Sequence, residues 1–200
     1  MFEAFLVIVV QNDFCSGGAL AVLEGGEVFQ PVYEAMDNFD LVVLTQGRHP
    51  QEYKFFASFH EPKRSFDTVE RFYGDQILWP DHCIQGSLGA NFHPDLKDEK
   101  AEVIIRKGAN PAVDSYSNFF ENDRVTPTGL HRYLKECGVT DLTLVGLATD
   151  FCVAFSALDA ARLGCQVTVC LDMVRAVDAD GSLRSAMGEM SKAGVNLVNG

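Results

Sequence analysis

A cysteine closes the segment Gly146-Leu-Ala-Thr-Asp-Phe-Cys152, between an apolar run and an alanine-rich stretch. At the first turn of a helix, a thiol meets backbone N–H groups and the positive end of the helix dipole. Both favour thiolate, the nucleophilic form. The same N–H groups can stabilise an oxyanion when the thiolate attacks a carbonyl. Cysteine is also among the most buried residue types, so local context gives simple packing equal weight. Lys107 ends the run Ile104-Ile-Arg-Lys107 and is followed by Gly108, which directs it toward the loops beyond the strand rather than bulk water. An ammonium near a thiol favours its ionised form and can neutralise charge developing on a substrate. For an isolated lysine, reaching to water is the commoner fate.

Histidines supply a second kind of chemistry. His49 lies in Thr45-Gln-Gly-Arg-His-Pro50 and His82 in Trp79-Pro-Asp-His-Cys83. Two separated imidazoles can converge on one divalent cation, but neither has an i, i+4 partner on a helix, so spacing alone does not establish a metal. His60 and His93 are further candidates of the ordinary loop kind. Among the 6 cysteines there is no C-x-x-C pair, which argues against a thiolate zinc site. Cys165 and Cys170 read as buried small hydrophobes.

These residues need elements to hold them. Apolar, β-branched runs occur at residues 5–10, 40–45, 103–106, 141–146, 166–171 and 195–198. Continuous runs suit strands buried on both faces of a parallel sheet. Helical stretches fall between them at 28–39, 128–137, 152–163 and 180–192, with Gly138 and Gly164 where helix C-caps belong. The alternation predicts an α/β fold, a doubly wound and mostly parallel six-stranded sheet with helices on both faces. Ligands in such folds sit in the loops beyond the carboxyl ends of the strands. Here those loops begin at Gln11, Gln46, Lys107, Leu147 and Asp172, and the first four carry the unusual segments.

At 200 residues the chain suits one domain, residues 1–200. Its 47% hydrophobic and 22% charged residues are those of a globular protein. A net charge of −12 argues against nucleic acid as a partner. No run is long enough to span a bilayer and no secretory signal is evident, which predicts a cytoplasmic protein with reduced thiols.

The ordered segments Gln11-Asn-Asp-Phe-Cys-Ser-Gly-Gly-Ala-Leu-Ala-Val22, Thr45-Gln46 with His49-Pro50, Trp79–Cys83, Phe92-His-Pro-Asp95, Arg106-Lys-Gly108, Asp114-Ser-Tyr-Ser117 and Gly146–Cys152 resemble the nicotinamidases (pyrazinamidases) of the isochorismatase-like cysteine hydrolase superfamily. The match runs from about residue 5 to the C-terminus. It implies a Rossmann-like sheet and hydrolysis of nicotinamide to nicotinate and ammonia, a step of NAD salvage, through a thioester on the nucleophile Cys152. Lys107 becomes the lysine of the catalytic triad, and the backbone N–H groups of Ala148 and Cys152 the oxyanion hole, with a cis peptide between Leu147 and Ala148. Phe14 lines the pocket against the pyridine ring. His49 and His82 hold a divalent metal (zinc, manganese or iron) that meets the pyridine nitrogen. The resemblance also implies a homo-oligomer.

Two departures stand out. Val9 occupies the place of the family's catalytic aspartate, which takes the thiol proton and passes it to the departing nitrogen. Gly47 replaces the carboxylate ligand of the metal, which predicts weaker metal binding, and Arg48 adds a positive charge nearby. Asp13 reads as a residue that holds its loop, and Asp150 as a polar residue at the start of a helix. The departures leave two alternatives beside an impaired nicotinamidase. One is a non-catalytic pyridine-binding protein; the other is a cysteine hydrolase of another small amide.

Overall fold

All six apolar runs become strands of one parallel sheet in the computed structural model, which describes residues 2–199. The strands are β1 (Phe2–Ile8), β2 (Leu41–Gly47), β5 (Val103–Lys107), β6 (Val139–Leu147), β7 (Gln166–Arg175) and β8 (Asn196–Val198). They lie in the order β5-β2-β1-β6-β7-β8, and every pairing is parallel. Position in the sheet explains the burial. β2 is buried along its whole length and β1 from Ala4 to Ile8, whereas the edge strand β5 alternates. A strand covered on both faces has no polar side to offer.

Helices α1 (Phe29–Ala35), α2 (Leu130–Glu136), α3 (Ala154–Arg162) and α4 (Ser182–Lys192) lie in four of the five crossovers, and the β2–β5 connection carries no α-helix. From β1 the chain moves one way to β2 and β5, and from β6 the other way to β7 and β8. Right-handed crossovers in opposite directions place helices on opposite faces. The reversal lies between β1 and β6, and the crevice there is the usual ligand position in a doubly wound sheet. Helix α3 buries Ala154, Ala157 and Ala160, and such small side chains let a helix lie close to the sheet.

Two features depart from the sequence expectations. An antiparallel hairpin, β3 (Thr68–Arg71) with β4 (Gly74–Ile77), was not foreseen. Its strands are short and largely exposed, so they carry no apolar alternation. The predicted helix over 152–163 instead starts as a π-helical turn, Thr149–Val153, before regular α-helix begins at Ala154. Cys152 therefore sits in the π turn rather than at the first turn of an α-helix. The glycine caps agree with expectation: Gly138 and Gly164 have φ of +74° and +92°.

Candidate active site

β1 and β6 run side by side, with Ile8 opposite Gly146. The contact needs a residue without a side chain. A Cβ on Gly146 would lie 2.3 Å from the Ile8 carbonyl oxygen, and its φ is +106°. Just beyond this point β1 turns at Val9 and β6 enters the Cys152 turn, so both meet in one crevice. The cavity there holds about 480 Å³ of open space, and Val9, Phe14, His49, His82, Lys107 and Cys152 all line it. The site residues named from the sequence are thus brought together. Ala148 lines the same cavity, and the Leu147–Ala148 peptide is cis.

Lys107 is almost fully buried, and its Nζ lies 3.6 Å from Cys152 Sγ. The same ammonium donates to the Ser115 carbonyl. Around Cys152, the Ala148 carbonyl accepts the N–H groups of Phe151 and Val153, both at 3.1 Å. The Cys152 carbonyl accepts Ser156 Oγ at 2.6 Å. Asp150, expected to act at the helix start, makes no cap bond. Its carboxylate reaches the loop after β7 instead and accepts Val177 N–H at 3.0 Å, Asp178 N–H at 2.8 Å and Ser182 Oγ at 2.5 Å. Val177 itself lines the cavity.

Val9 is buried at 1% exposure and has φ of +40°, a conformation that β-branched residues avoid. Its backbone is held nonetheless: Val9 N–H donates to the Thr45 carbonyl at 3.2 Å, and the Val9 carbonyl accepts Gln11 N–H at 2.8 Å. Aspartate and asparagine tolerate the left-handed region better than valine does. The turn thus holds valine in a backbone region that glycine, aspartate or asparagine enters more readily.

The two histidines lie with ring centroids 4.9 Å apart. Each rests Nδ1 on a backbone carbonyl: His49 on Gly108 at 3.0 Å, and His82 on Pro80 at 2.8 Å. That arrangement leaves Nε2 as the outward lone pair in the neutral ring, as a metal ligand needs. Burial pushes both imidazoles below their ordinary range, with His82 and Lys107 adding to the effect at His49. A third ligand is lacking, however. Gly47 has no side chain, although a Cβ there would make only ordinary contacts, 3.7 Å from His49 Nε2 and 3.4 Å from Gln11 Oε1. Among the described residues, no group of three or more His, Cys, Asp or Glu could hold an ion. The residues present therefore do not fit a fully formed metal site.

Other candidates fall outside the crevice. His60 Nε2 lies 2.7 Å from the Lys54 carbonyl, and His93 stacks on Phe29 with ring centroids 4.1 Å apart. Arg48 is half-buried and does not line the cavity. Asp13 accepts the Cys83 N–H at 2.6 Å and so ties the opening loop to the Trp79–Cys83 segment, the loop-holding role expected of it.

One carboxylate does line the cavity, and sequence reasoning gave it no role. Asp114 Oδ1 accepts Tyr53 Oη at 2.6 Å and the Ser115 N–H at 2.7 Å. Its Oδ2 accepts Gln76 Nε2 at 2.6 Å and Trp79 Nε1 at 3.2 Å. Tyr53 in turn stacks on His49, with ring centroids 4.2 Å apart. The signal was weak because its side-chain partners Tyr53, Gln76 and Trp79 lie 35 to 61 residues away along the chain.

Comparison with known proteins agrees with this geometry. The isochorismatase domain family matches residues 3–199. A nicotinamidase of Acinetobacter baylyi is 45% identical, over 98% of this chain and 92% of its own. A solved nicotinamidase/pyrazinamidase of Acinetobacter baumanii superposes with a TM-score of 0.97 at 45% identity, covering 98% of this chain and 95% of that one. The pyrazinamidase of Pyrococcus horikoshii, solved in complex with zinc, gives a TM-score of 0.80 at 32% identity, covering the whole of both chains. A crevice at the sheet's point of reversal, a cysteine and a buried lysine facing each other across it, and a match along nearly the whole sequence lead to one assignment: the chain belongs to the isochorismatase family.

Proposed function

We propose that the chain is a nicotinamidase-type amidohydrolase acting on nicotinamide, with turnover lowered by Val9. The supporting observation is the 3.6 Å approach of Lys107 Nζ to Cys152 Sγ, inside a cavity lined by Phe14 and Trp79. Aromatic walls of that kind suit a pyridine ring. Cys152 attacks the carboxamide carbon, and the backbone N–H groups of Ala148 and Cys152 receive the oxyanion. Lys107 offsets the negative charge; as the carbonyl reforms, the C–N bond breaks and the nitrogen leaves as ammonia with a proton from the thiol or solvent, and water then hydrolyses the thioester to nicotinate. Loss of the acid–base carboxylate at Val9 costs about 10²–10⁴ in rate. His49 and His82 hold a divalent cation such as zinc weakly, because Gly47 contributes no third ligand. The product, nicotinate, places the reaction in NAD salvage.

The six free thiols support a reducing, cytoplasmic setting. No helix of the described residues is long and apolar enough to cross a membrane. A homo-oligomer of this single domain is the assembly we expect, to be read by sedimentation.

Ammonia release from nicotinamide tests the reading, with zinc, manganese or iron added, in the native chain, in Val9→Asp/Gly47→Asp and in Cys152→Ala. The native chain should be slow, the double variant faster by about 10²–10⁴, and Cys152→Ala inactive. Full native activity overturns the role given to Val9; activity in Cys152→Ala overturns the mechanism. Zinc titration should show tighter binding in the double variant. Val9 itself favours a second reading, a non-catalytic pyridine binder. That reading predicts saturable nicotinamide binding without ammonia from either chain.

A further inference from the structure

Resting on the reading above, we propose that Cys152 acts on a second class of substrate, the activated esters of pyridine carboxylic acids, in preference to the amides. The argument begins with where a proton could come from. An amide nitrogen does not leave a tetrahedral intermediate as an anion; it needs a proton as the C–N bond breaks. At the end of β1, the side chain facing the cavity is the isopropyl group of Val9. Asp114, the one carboxylate among the described lining residues, is occupied. Four donors at 2.6 to 3.2 Å approach its two oxygens, two on each. Taking a thiol proton there would break one of those bonds.

What the site retains is sufficient to form an acyl-enzyme when no such proton is needed. The Cys152 thiolate attacks the ester carbonyl, a C–S bond forms, and the carbonyl electrons move to oxygen. As the carbonyl reforms, the C–O bond breaks and the leaving group departs as phenolate with the bonding pair. Phenols ionise near pH 10, so the phenolate leaves without prior protonation. The Lys107 ammonium, 3.6 Å from the sulfur, offsets the negative charge on the way. The pyridine acyl group remains as a thioester on Sγ. Water then attacks it, releasing the carboxylate and restoring the thiol. This second step also lacks a carboxylate base, so the thioester accumulates.

The experiment mixes the native protein with 4-nitrophenyl nicotinate in a stopped-flow instrument and measures ammonia from nicotinamide in parallel. The expected result is a burst of about one nitrophenolate per protein with slow turnover after it, as an accumulating acyl-enzyme gives. Mass spectrometry should find the nicotinoyl group on Cys152, and Cys152→Ala should show no burst. Acylation by the ester should exceed that by the amide by at least about 10²-fold, the lower end of what acid–base help supplies. Val9→Asp should narrow the ratio. If Val9→Asp does not fold, Val9→Gly with added formate serves instead, since glycine suits φ of +40°.

No burst, a burst that survives Cys152→Ala, or equal acylation by amide and ester in the native chain overturns the inference. Competition separates it from the underlying reading. A burst that saturating nicotinamide leaves unchanged overturns the nicotinamide site. A protein that binds nicotinamide but gives no burst overturns only the ester inference.

Discussion

Glu121 is a carboxylate whose surroundings do not match its charge. It is buried, and its Oε2 has no hydrogen-bond partner among the described residues. Burial raises its carboxyl above the usual range, with Asp114 contributing and the nearby Lys107 ammonium opposing the shift. Between the unfolded and folded titrations the native state holds more protons, so Glu121 lowers stability as pH rises. Glu121→Gln should therefore match the native chain near pH 4 and exceed it by about 1 kcal/mol near pH 8. Urea denaturation at both pH values checks this; a constant difference would place the effect in packing alone. At the same scale, the meeting of Cys152, Lys107 and His49 in one cavity was legible in the sequence because each ends or follows an apolar strand, whereas His82 was singled out only by its Trp79–Cys83 segment. Asp114 was not, since its meaning lies in Tyr53, Gln76 and Trp79, which only the fold brings to it.

The turn that carries Cys152 is held by a neighbouring loop as well as by its own helix. Asp150 bonds Val177, Asp178 and Ser182, beyond the end of β7. That loop is awkward by itself: Asp178 and Asp180 both have φ of +51°. Asp150→Ala should cost about 4.5 kcal/mol, from three charged hydrogen bonds worth about 1.5 kcal/mol each, and Asp150→Asn roughly half as much. Thermal melts measure the cost. The rate of Cys152 alkylation by iodoacetamide should change in the same order, whereas a loop without influence on the turn would leave it unaltered. From sequence, Asp150 looked like an ordinary residue at a helix start, because aspartate prefers that position. The π turn was hidden for a related reason: an alanine-rich run favours plain helix, and tertiary bonds override it.

Across the molecule, the parallel order of strands could be read from composition because buried strands must be apolar throughout. The β3–β4 hairpin could not, since exposed strands carry no such requirement. The same core predicts how the protein responds to chelation. β1, β2 and β6 pair directly through their backbones, and His49 and His82 line the cavity beyond the strand ends. A ligand held weakly stabilises a fold little, since its contribution grows only with the logarithm of its concentration over its dissociation constant. EDTA should therefore shift the melting midpoint by less than about 1 °C, whereas a larger drop would show that a metal helps to hold the native chain together.

Trp79 is the only tryptophan in the chain. Its indole N–H points at Asp114, and its ring meets Phe151 at right angles along the cavity wall. Intrinsic emission excited near the red edge of protein absorbance thus comes from a single lamp, placed where substrate should dock. Quenching by pyridine compounds would count filled sites directly.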